Sequence, residues 1–213
     1  MLEKYVKGSN MHACSFYDDV TIETITKAYT KYGWNLFTEG DYNLNIFGIR
    51  ANESKSNTFN DLICVLYKVN GEWVLKKYDA TTDPGTYYRE NPINKNGTAI
   101  LKEGRYSGSF GIGLHHGKYR CLVQVKPLQL YRDNNKDNIL DKKGTTSEEM
   151  AAIHIHRASA SATSKQVDKW SAGCQVIASS DNFKEFMSLV DTSAKYFKPV
   201  FTYILFNETD LAG

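Results

Sequence analysis

Apolar residues recur along the chain first with a helical period and then with a strand period. In "DDVTIETITKAYTKY", residues 18–32, Ile22, Ile25, Tyr29 and Tyr32 stand three or four apart, one face of a helix. Asp18 or Asp19 is the expected cap, and Gly33 the end. Strand signals follow in "YNLNIFGIRA", "DLICVLYKV" and "EWVLKKYDA", the last two flanking Asn70-Gly71, the dipeptide of a two-residue hairpin. "TTDPGTYY" and "NPINKNGTAIL" read as turns leading onto another strand, and residues 119–131 as a strand pair or one strand broken at Pro127. "AAIHIHR", "GCQVIA" and "VFTYILF" complete the strands. Between the last two, Phe183, Phe186, Met187 and Val190 mark a helix capped by Ser180 or Asp181. The expectation is a mainly β chain with a minor α+β character: a single sandwich- or barrel-like domain with about two helices.

Composition narrows the partners. The 213 residues suit one domain, and 41% hydrophobic with 23% charged residues is an ordinary globular balance. A net charge of +2 gives no electrostatic reason to expect nucleic acid or membrane as a partner. No window approaches the roughly 18 apolar residues of a membrane span. "MLEKYVKGSNMHACSFYDDV" lacks a signal peptide's apolar core, so cytoplasmic synthesis without a leader is expected. Fourteen tyrosines and ten phenylalanines favour strands. Cys14, Cys64, Cys121 and Cys174 form no CxxC pair; Cys64 and Cys121 lie in apolar runs and read as buried hydrophobes.

Chemistry concentrates in "AAIHIHRASASATSKQVDKWSAGCQV", residues 151–176. In a strand, His154 and His156 share one face while Ile153 and Ile155 face the opposite layer. The 157–170 loop, rich in small and polar residues, can arch over a site before the next strand begins at Gly173-Cys174. An imidazole beside a thiol raises its thiolate fraction, Gly173 permits close approach of a carbonyl, and the Gly173 and Cys174 amides suit an oxyanion hole.

Histidine precedes cysteine, unlike papain-like and NlpC/P60-like peptidases, and no arginine follows Cys174 as in sortases. Fourteen residues separate His156 from the Ser171-Ala172-Gly173-Cys174 run, a pattern that resembles the L,D-transpeptidase catalytic domain. "IGLHHGKYRCLVQ", "YRDNNKD", "IHIHRA" and "VDKWSAGCQV" together look like a branch of that superfamily encoded by tailed phages. The likeness is strongest over 151–206 and looser back to about residue 60. It implies a catalytic domain over 51–213, with residues 1–50 as a helix-containing N-terminal extension. It further implies that Cys174 attacks a peptide carbonyl of a peptidoglycan stem, that His156 is the base, and that the carbonyl of Arg157 orients it. No cofactor is required, and virion proteins become possible partners, with virion association or release to the wall at lysis. Two positions depart from the family: Ala172 stands where it usually has histidine, and Val176 where it often has Arg or Asn.

Other readings of the same residues stay open. Cys174 can be an inert buried thiol. His154, His156 and Cys174 can bind zinc with His115 or His116 as a fourth ligand, giving a zinc-dependent peptidoglycan hydrolase. The chain can also be a structural or wall-binding virion protein that has lost the chemistry. His115 and His116 are a groove-wall loop or a plain hairpin turn; His154 and Trp170 are substrate-side residues or packing. Separately, Asp133, Asn135, Asp137, the carbonyl of Ile139 and Asp141 occupy alternate positions of a calcium-type loop, with Asn138 at the left-handed position. The glutamate expected at the twelfth position is replaced by Gly144. The alternative there is a solvated turn that binds nothing.

Overall fold

The structure is a computed structural model that describes residues 12–211. The first residues of the N-terminal segment, on which the absence of a leader was read, lie outside it. Eleven strands follow in chain order: β1 (Asn45–Arg50), β2 (Asp61–Val69), β3 (Glu72–Thr81), β4 (Thr98–Leu101), β5 (Gly104–His115), β6 (Tyr119–Gln124), β7 (Leu128–Asp133), β8 (Ser147–Glu149), β9 (Ile155–Arg157), β10 (Gln175–Ile177) and β11 (Val200–Asn207). The helices are α1 (Ile22–Lys31), α2 (Thr86–Glu90) and α3 (Ser180–Ser193). Eight strands close a barrel in the order β1-β11-β5-β6-β9-β10-β3-β2, and β4-β7-β8 form a separate small sheet. The chain is thus mainly β and barrel-like, as its periodicity predicts. The segment set apart as an extension supplies β1 to the barrel, between β11 and β2.

Alternation along the strands explains the layers. Ile46, Ile63, Val65, Tyr203 and Leu205 belong to a core cluster shared with α3 and the small sheet. Their neighbours Phe47, Ile49, Leu62, Cys64, Leu66, Ile204 and Phe206 form a second cluster with Ile25, Ala28 and Tyr29 of α1. β1 is consequently buried along its whole length. Each large apolar side chain so covered contributes roughly 1.5–3 kcal/mol.

Local signals mostly hold. The β2–β3 hairpin turns through Asn70 and Gly71 at φ of 51° and 80°. The strand signal breaks at Pro127, which separates β6 in the barrel from β7 in the small sheet. The caps differ from expectation. Thr21, in a reciprocal capping pair with Thr24, starts α1, while Asp18 and Asp19 lie in a preceding 3-10 turn. Ser179 caps α3, one residue ahead of Ser180. The end of "TTDPGTYY", expected to be a turn, forms the short helix α2.

Inside this frame lies a buried charge. Arg50, fully buried at the end of β1, ion-pairs with Asp83 at 3.0 Å and with Glu103 at 2.9 Å. Nε, facing Asp83, also donates to Thr82 Oγ1 at 3.1 Å, Nη1, facing Glu103, also donates to the Leu101 carbonyl at 2.8 Å, and Nη2 donates to the Thr82 carbonyl at 2.8 Å. Buried Asp61 accepts the amides of Ala51 at 2.8 Å and Thr82 at 2.6 Å, so three carboxylates and an arginine tie the ends of β1, β2 and β3 to one another and to the residues after β4. Arg50→Met leaves Asp83 and Glu103 without their counter-charge, and urea unfolding is expected to show a loss of about 3–5 kcal/mol. Arg50→Lys is not expected to restore it, because a single ammonium cannot reproduce the planar fork. A loss under 1 kcal/mol for Arg50→Met would mean that the network is dispensable.

Candidate functional site

The histidine segment is held from one side by Gln124 of β6. Its Oε1 accepts the amides of Ala151 and Ile153, both at 3.0 Å, and its Nε2 donates to the Glu149 carbonyl. The segment then joins β9, which pairs in parallel with β10 in the register Ile155 with Gln175 and His156 with Val176. Regular strand begins only at Ile155, since Ala152 adopts φ of 53°. A left-handed residue with a Cβ costs about 1–2 kcal/mol. The His154 amide lies 3.4 Å from Cys174 Sγ, and the thiol is directed at the Ala152 carbonyl at 3.5 Å.

His156 is buried. Its Nδ1 lies 2.8 Å from the Arg157 carbonyl and 3.3 Å from the Tyr119 hydroxyl. A carbonyl can only accept, so Nδ1 carries the proton and Nε2 keeps its lone pair. The carbonyl expected to orient the imidazole is therefore in contact with it. The Arg157 guanidinium lies over the Tyr119 ring at 4.2 Å. His115, at the end of β5, stacks on His156 with ring centroids 4.0 Å apart, and its Nδ1 lies 3.0 Å from Nδ1 of His154. His116 turns the β5–β6 hairpin at φ of 48°. The hairpin and groove-wall readings of these two histidines are thus compatible: all four side chains, with Trp170 and Cys174, line one cleft of about 790 Å³. Trp170 is 43% exposed on that wall and is not core packing.

Ser171 and Gly173 are placed differently from their expected roles. Ser171 is fully buried, donates to the Cys174 carbonyl at 2.8 Å and accepts the Gly173 amide at 3.1 Å. It shapes the turn before Cys174. The Gly173 amide is committed to that bond, which removes one of the two expected oxyanion donors. The glycine is demanded by packing: φ is 123°, and a Cβ would lie 2.5 Å from the Ala99 carbonyl of β4.

The 157–170 loop does not hang free over the cleft. Val167 and Ala158 are buried with Phe59, Val176 and Ala178. The Val167 amide donates to the Asn57 carbonyl at 2.8 Å, the Ser164 amide to the Ala178 carbonyl at 3.0 Å, and the Asn57 side-chain amide to Asp168 at 2.6 Å. A polar composition concealed a loop that is tied at both ends.

Tyr119, which lines the cleft, escaped the sequence reading; Cys121 is fully buried, as its apolar run predicts, and only its nearness to the histidines was hidden. The donor atoms of His115, Cys121 and His154 all lie within 4.8 Å of one another. The metal-compatible group is thus built on Cys121 and not on Cys174 and His156, because β6 is the strand beside β9. Its apolar surroundings in "RCLVQV" are those of an inert thiol, so only its register in the barrel reveals it.

Electrostatics make the resting groups neutral. Burial, then His115, pushes the His156 imidazole down to about 3, against the Arg157 carbonyl, which raises it. Burial, then the nearby His116 and His154 side chains and the charges of Arg157 and Lys118, lowers His115 to about 4, and burial also lowers His154. Burial pushes the Cys174 thiol up to about 11, partly offset by the His154 amide. At neutral pH a thiol faces neutral imidazoles, in place of the thiolate–imidazolium pair that adjacency alone suggests.

An imidazole in the unfolded chain titrates near 6.5, and folded His156 about 3. Between these values the unfolded chain binds a proton that the folded chain does not. Its contribution to stability is intact above pH 6.5 and is lost as pH falls, by up to about 1.4 kcal/mol per pH unit. Urea unfolding of His156→Gln between pH 6.5 and 4.5 is expected to show a shallower decline than wild type. Equal slopes would contradict a buried neutral imidazole.

No protein-family model, curated protein or solved structure matches the chain. Among the described residues no helix is long and apolar enough to cross a membrane.

Proposed function

We propose that the protein is a cysteine-dependent acyl-transfer enzyme acting on peptidoglycan stem peptides, with Cys174 as nucleophile and His156 as base. The observation that carries the reading is His156 itself. A buried neutral imidazole, held through Nδ1 on the Arg157 carbonyl, shares a cleft with a half-buried thiol in the turn just before the adjacent strand. The stem-peptide substrate rests on the resemblance of His156 and the Ser171–Cys174 run to the L,D-transpeptidase pattern.

Cys174 Sγ attacks a peptide carbonyl while its proton passes to Nε2 of His156. The tetrahedral species collapses to a thioester, and the leaving amine takes that proton. Water or an acceptor amine then attacks the thioester and frees the thiol, giving hydrolysis or transpeptidation. The resting sulfur is bonded to Ala152 and His154, so attack requires the thiol to turn from the Ala152 carbonyl toward the imidazole. Catalytic contacts that tighten only with substrate are common. A phage-encoded chain acting at the wall would favour hydrolysis, as a carboxypeptidase or endopeptidase.

Intact-mass labelling of native protein with a small electrophile at pH 7 tests the pair. Labelling is expected at Cys174, slowed at least about tenfold in His156→Ala, consistent with the 10²–10⁴-fold typical of base catalysis. It is expected to rise further above pH 8, as a thiol raised by burial ionises late. Equal rates in wild type and His156→Ala would remove the catalytic reading and favour a structural or wall-binding protein of the same fold.

A second reading, zinc-dependent hydrolysis, has one observation in its favour: the mutual approach of His115, Cys121 and His154. Three ligands with an open position are the usual complement of a catalytic zinc. Peptide hydrolysis that survives EDTA and fails in Cys174→Ala supports the thiol; hydrolysis lost with EDTA and in Cys121→Ser supports zinc.

A further inference from the structure

Charge of one sign gathers in two places, and the two are satisfied differently. The acidic loop after β7 is held by its own hydrogen bonds: Asn135 Oδ1 accepts the Asp137 amide at 3.1 Å, and Asp137 Oδ1 accepts the Ile139 amide at 2.8 Å. The carboxylates of Asp133, Asp137 and Asp141 do not all come within 4.8 Å of one another, and the Arg89 guanidinium brings positive charge beside Asp133. Nothing there calls for a cation.

The cleft is the opposite case. Lys118, Arg157 and Lys169 line it, and no aspartate or glutamate does. The whole chain carries 26 basic and 24 acidic residues, so the one-sided lining does not follow from composition. Among the described residues none of these three cations forms an ion pair. Two of them rest on rings: the Arg157 guanidinium over Tyr119 and Lys169 Nζ over Tyr87, each at 4.2 Å. Acids close by are committed elsewhere. Asp168, next to Lys169, accepts the Asn57 side-chain amide at 2.6 Å and the Thr86 hydroxyl at 3.3 Å. A groove of about 300 Å³ adjoins the cleft at Tyr119, Arg157 and Ala160. There Asp191 pairs with Arg120 at 2.6 Å, and Lys184 with Asp181 at 2.7 Å, which leaves Arg157 as the groove's unpaired charge.

Arg157 is also the best fixed of the three. Its backbone is set by the pairing with Ile177 and by the bond from His156 to its carbonyl, and its half-buried side chain lies against Tyr119. A guanidinium held in this way keeps its charge and presents a planar fork, the geometry that matches a carboxylate. We propose that the cleft selects acyl donors that carry free carboxylates, with Arg157 as the principal anchor and Lys118 and Lys169 adding charge. The choice of carboxylates among anions rests on the acyl-transfer reading, in which the donor is a peptide. Walls lined by one sign of charge focus the field and concentrate ligands of the other sign. A peptide whose acidic groups are amidated forfeits this attraction and is the poorer donor.

Paired labelling of Cys174 by iodoacetate, which carries a carboxylate, and by iodoacetamide, its neutral counterpart, tests this. Intact mass with peptide mapping gives both rates in native protein, and their ratio is compared with that of N-acetylcysteine amide in the same buffer. Both reagents meet the same sulfur, so the ratio cancels whatever His156 contributes and holds or fails separately from the role of that base. At low ionic strength the wild-type preference for iodoacetate is expected to exceed that of the model thiol at least about fivefold. Arg157→Gln is expected to lose about half of this preference or more, and Arg157→Lys, which keeps the charge, to retain most of it. The triple variant Lys118→Gln/Arg157→Gln/Lys169→Gln is expected to fall to within about twofold of the model thiol. Salt at about 1 M, where the Debye length is ~3 Å, is expected to abolish the preference. A wild-type ratio equal to that of the model thiol, or a raised ratio that neither the triple variant nor salt lowers, would overturn the assignment. Equal losses in Arg157→Lys and Arg157→Gln would make Arg157 a structural residue and remove it as the anchor.

Discussion

Arg50 brings a full positive charge to a position without water, and much of the molecule is arranged around keeping it satisfied. Its guanidinium is shared among Asp83, Glu103, two atoms of Thr82 and the Leu101 carbonyl, so it fastens β1 to the residues following β3 and to the end of β4. The Thr82 carbonyl that accepts from Arg50 also accepts from Gln175 Nε2 at 3.3 Å, and the same amide reaches the Gly173 carbonyl at 3.3 Å. Gln175 Oε1 in turn accepts the Tyr203 hydroxyl at 2.9 Å. That ring crosses the barrel where Gly48 leaves room: a Cβ there would lie 2.0 Å from the hydroxyl. A continuous chain of polar contacts therefore runs from the barrel's buried charge to the residues on either side of Cys174.

The site inherits its order from this frame. Gln124 sets the histidine segment from β6, the Arg157 carbonyl sets the tautomer of His156, and Ser171 closes the turn that presents Cys174. Burial then keeps both partners neutral, so the chemistry proposed here uses a base that acts at the moment of attack and not a preformed thiolate. A neutral imidazole with a free Nε2 lone pair is suited to that task.

How far the molecule could be read from its residues depended on how local each signal was. Strand period, the Asn70-Gly71 hairpin, the break at Pro127 and the apolar face of α3 are properties of a few neighbouring positions, and each was legible. β5 was not singled out, because Gly104, Gly108, Gly111 and Gly113 interrupt its apolar alternation. Arg50 looked like one more charge at the end of "NIFGIR"; its burial depends on partners more than 30 residues away. That His156 and Cys174 share one cleft was visible as spacing, since β9 and β10 are joined by one loop. Tyr119 enters the cleft, and Cys121 comes near the histidines from the core, through β6, a barrel neighbour distant in sequence, and the restraint of the 157–170 loop comes from Asn57. Ser171 and Gly173 drew notice for the right reason, their proximity to Cys174, but their hydrogen bonds are internal to the turn.

The central claim is that Cys174 becomes acylated by a stem peptide, and the adduct itself is the most direct evidence. Wild-type protein incubated with purified muropeptides, quenched in acid within seconds and analysed by intact mass and peptide mapping, is predicted to carry a hydroxylamine-sensitive acyl group on Cys174. That group should be absent from Cys174→Ala and reduced in His156→Ala. Turnover of muropeptides with no adduct on Cys174, or an undiminished rate in Cys174→Ala, would contradict the account.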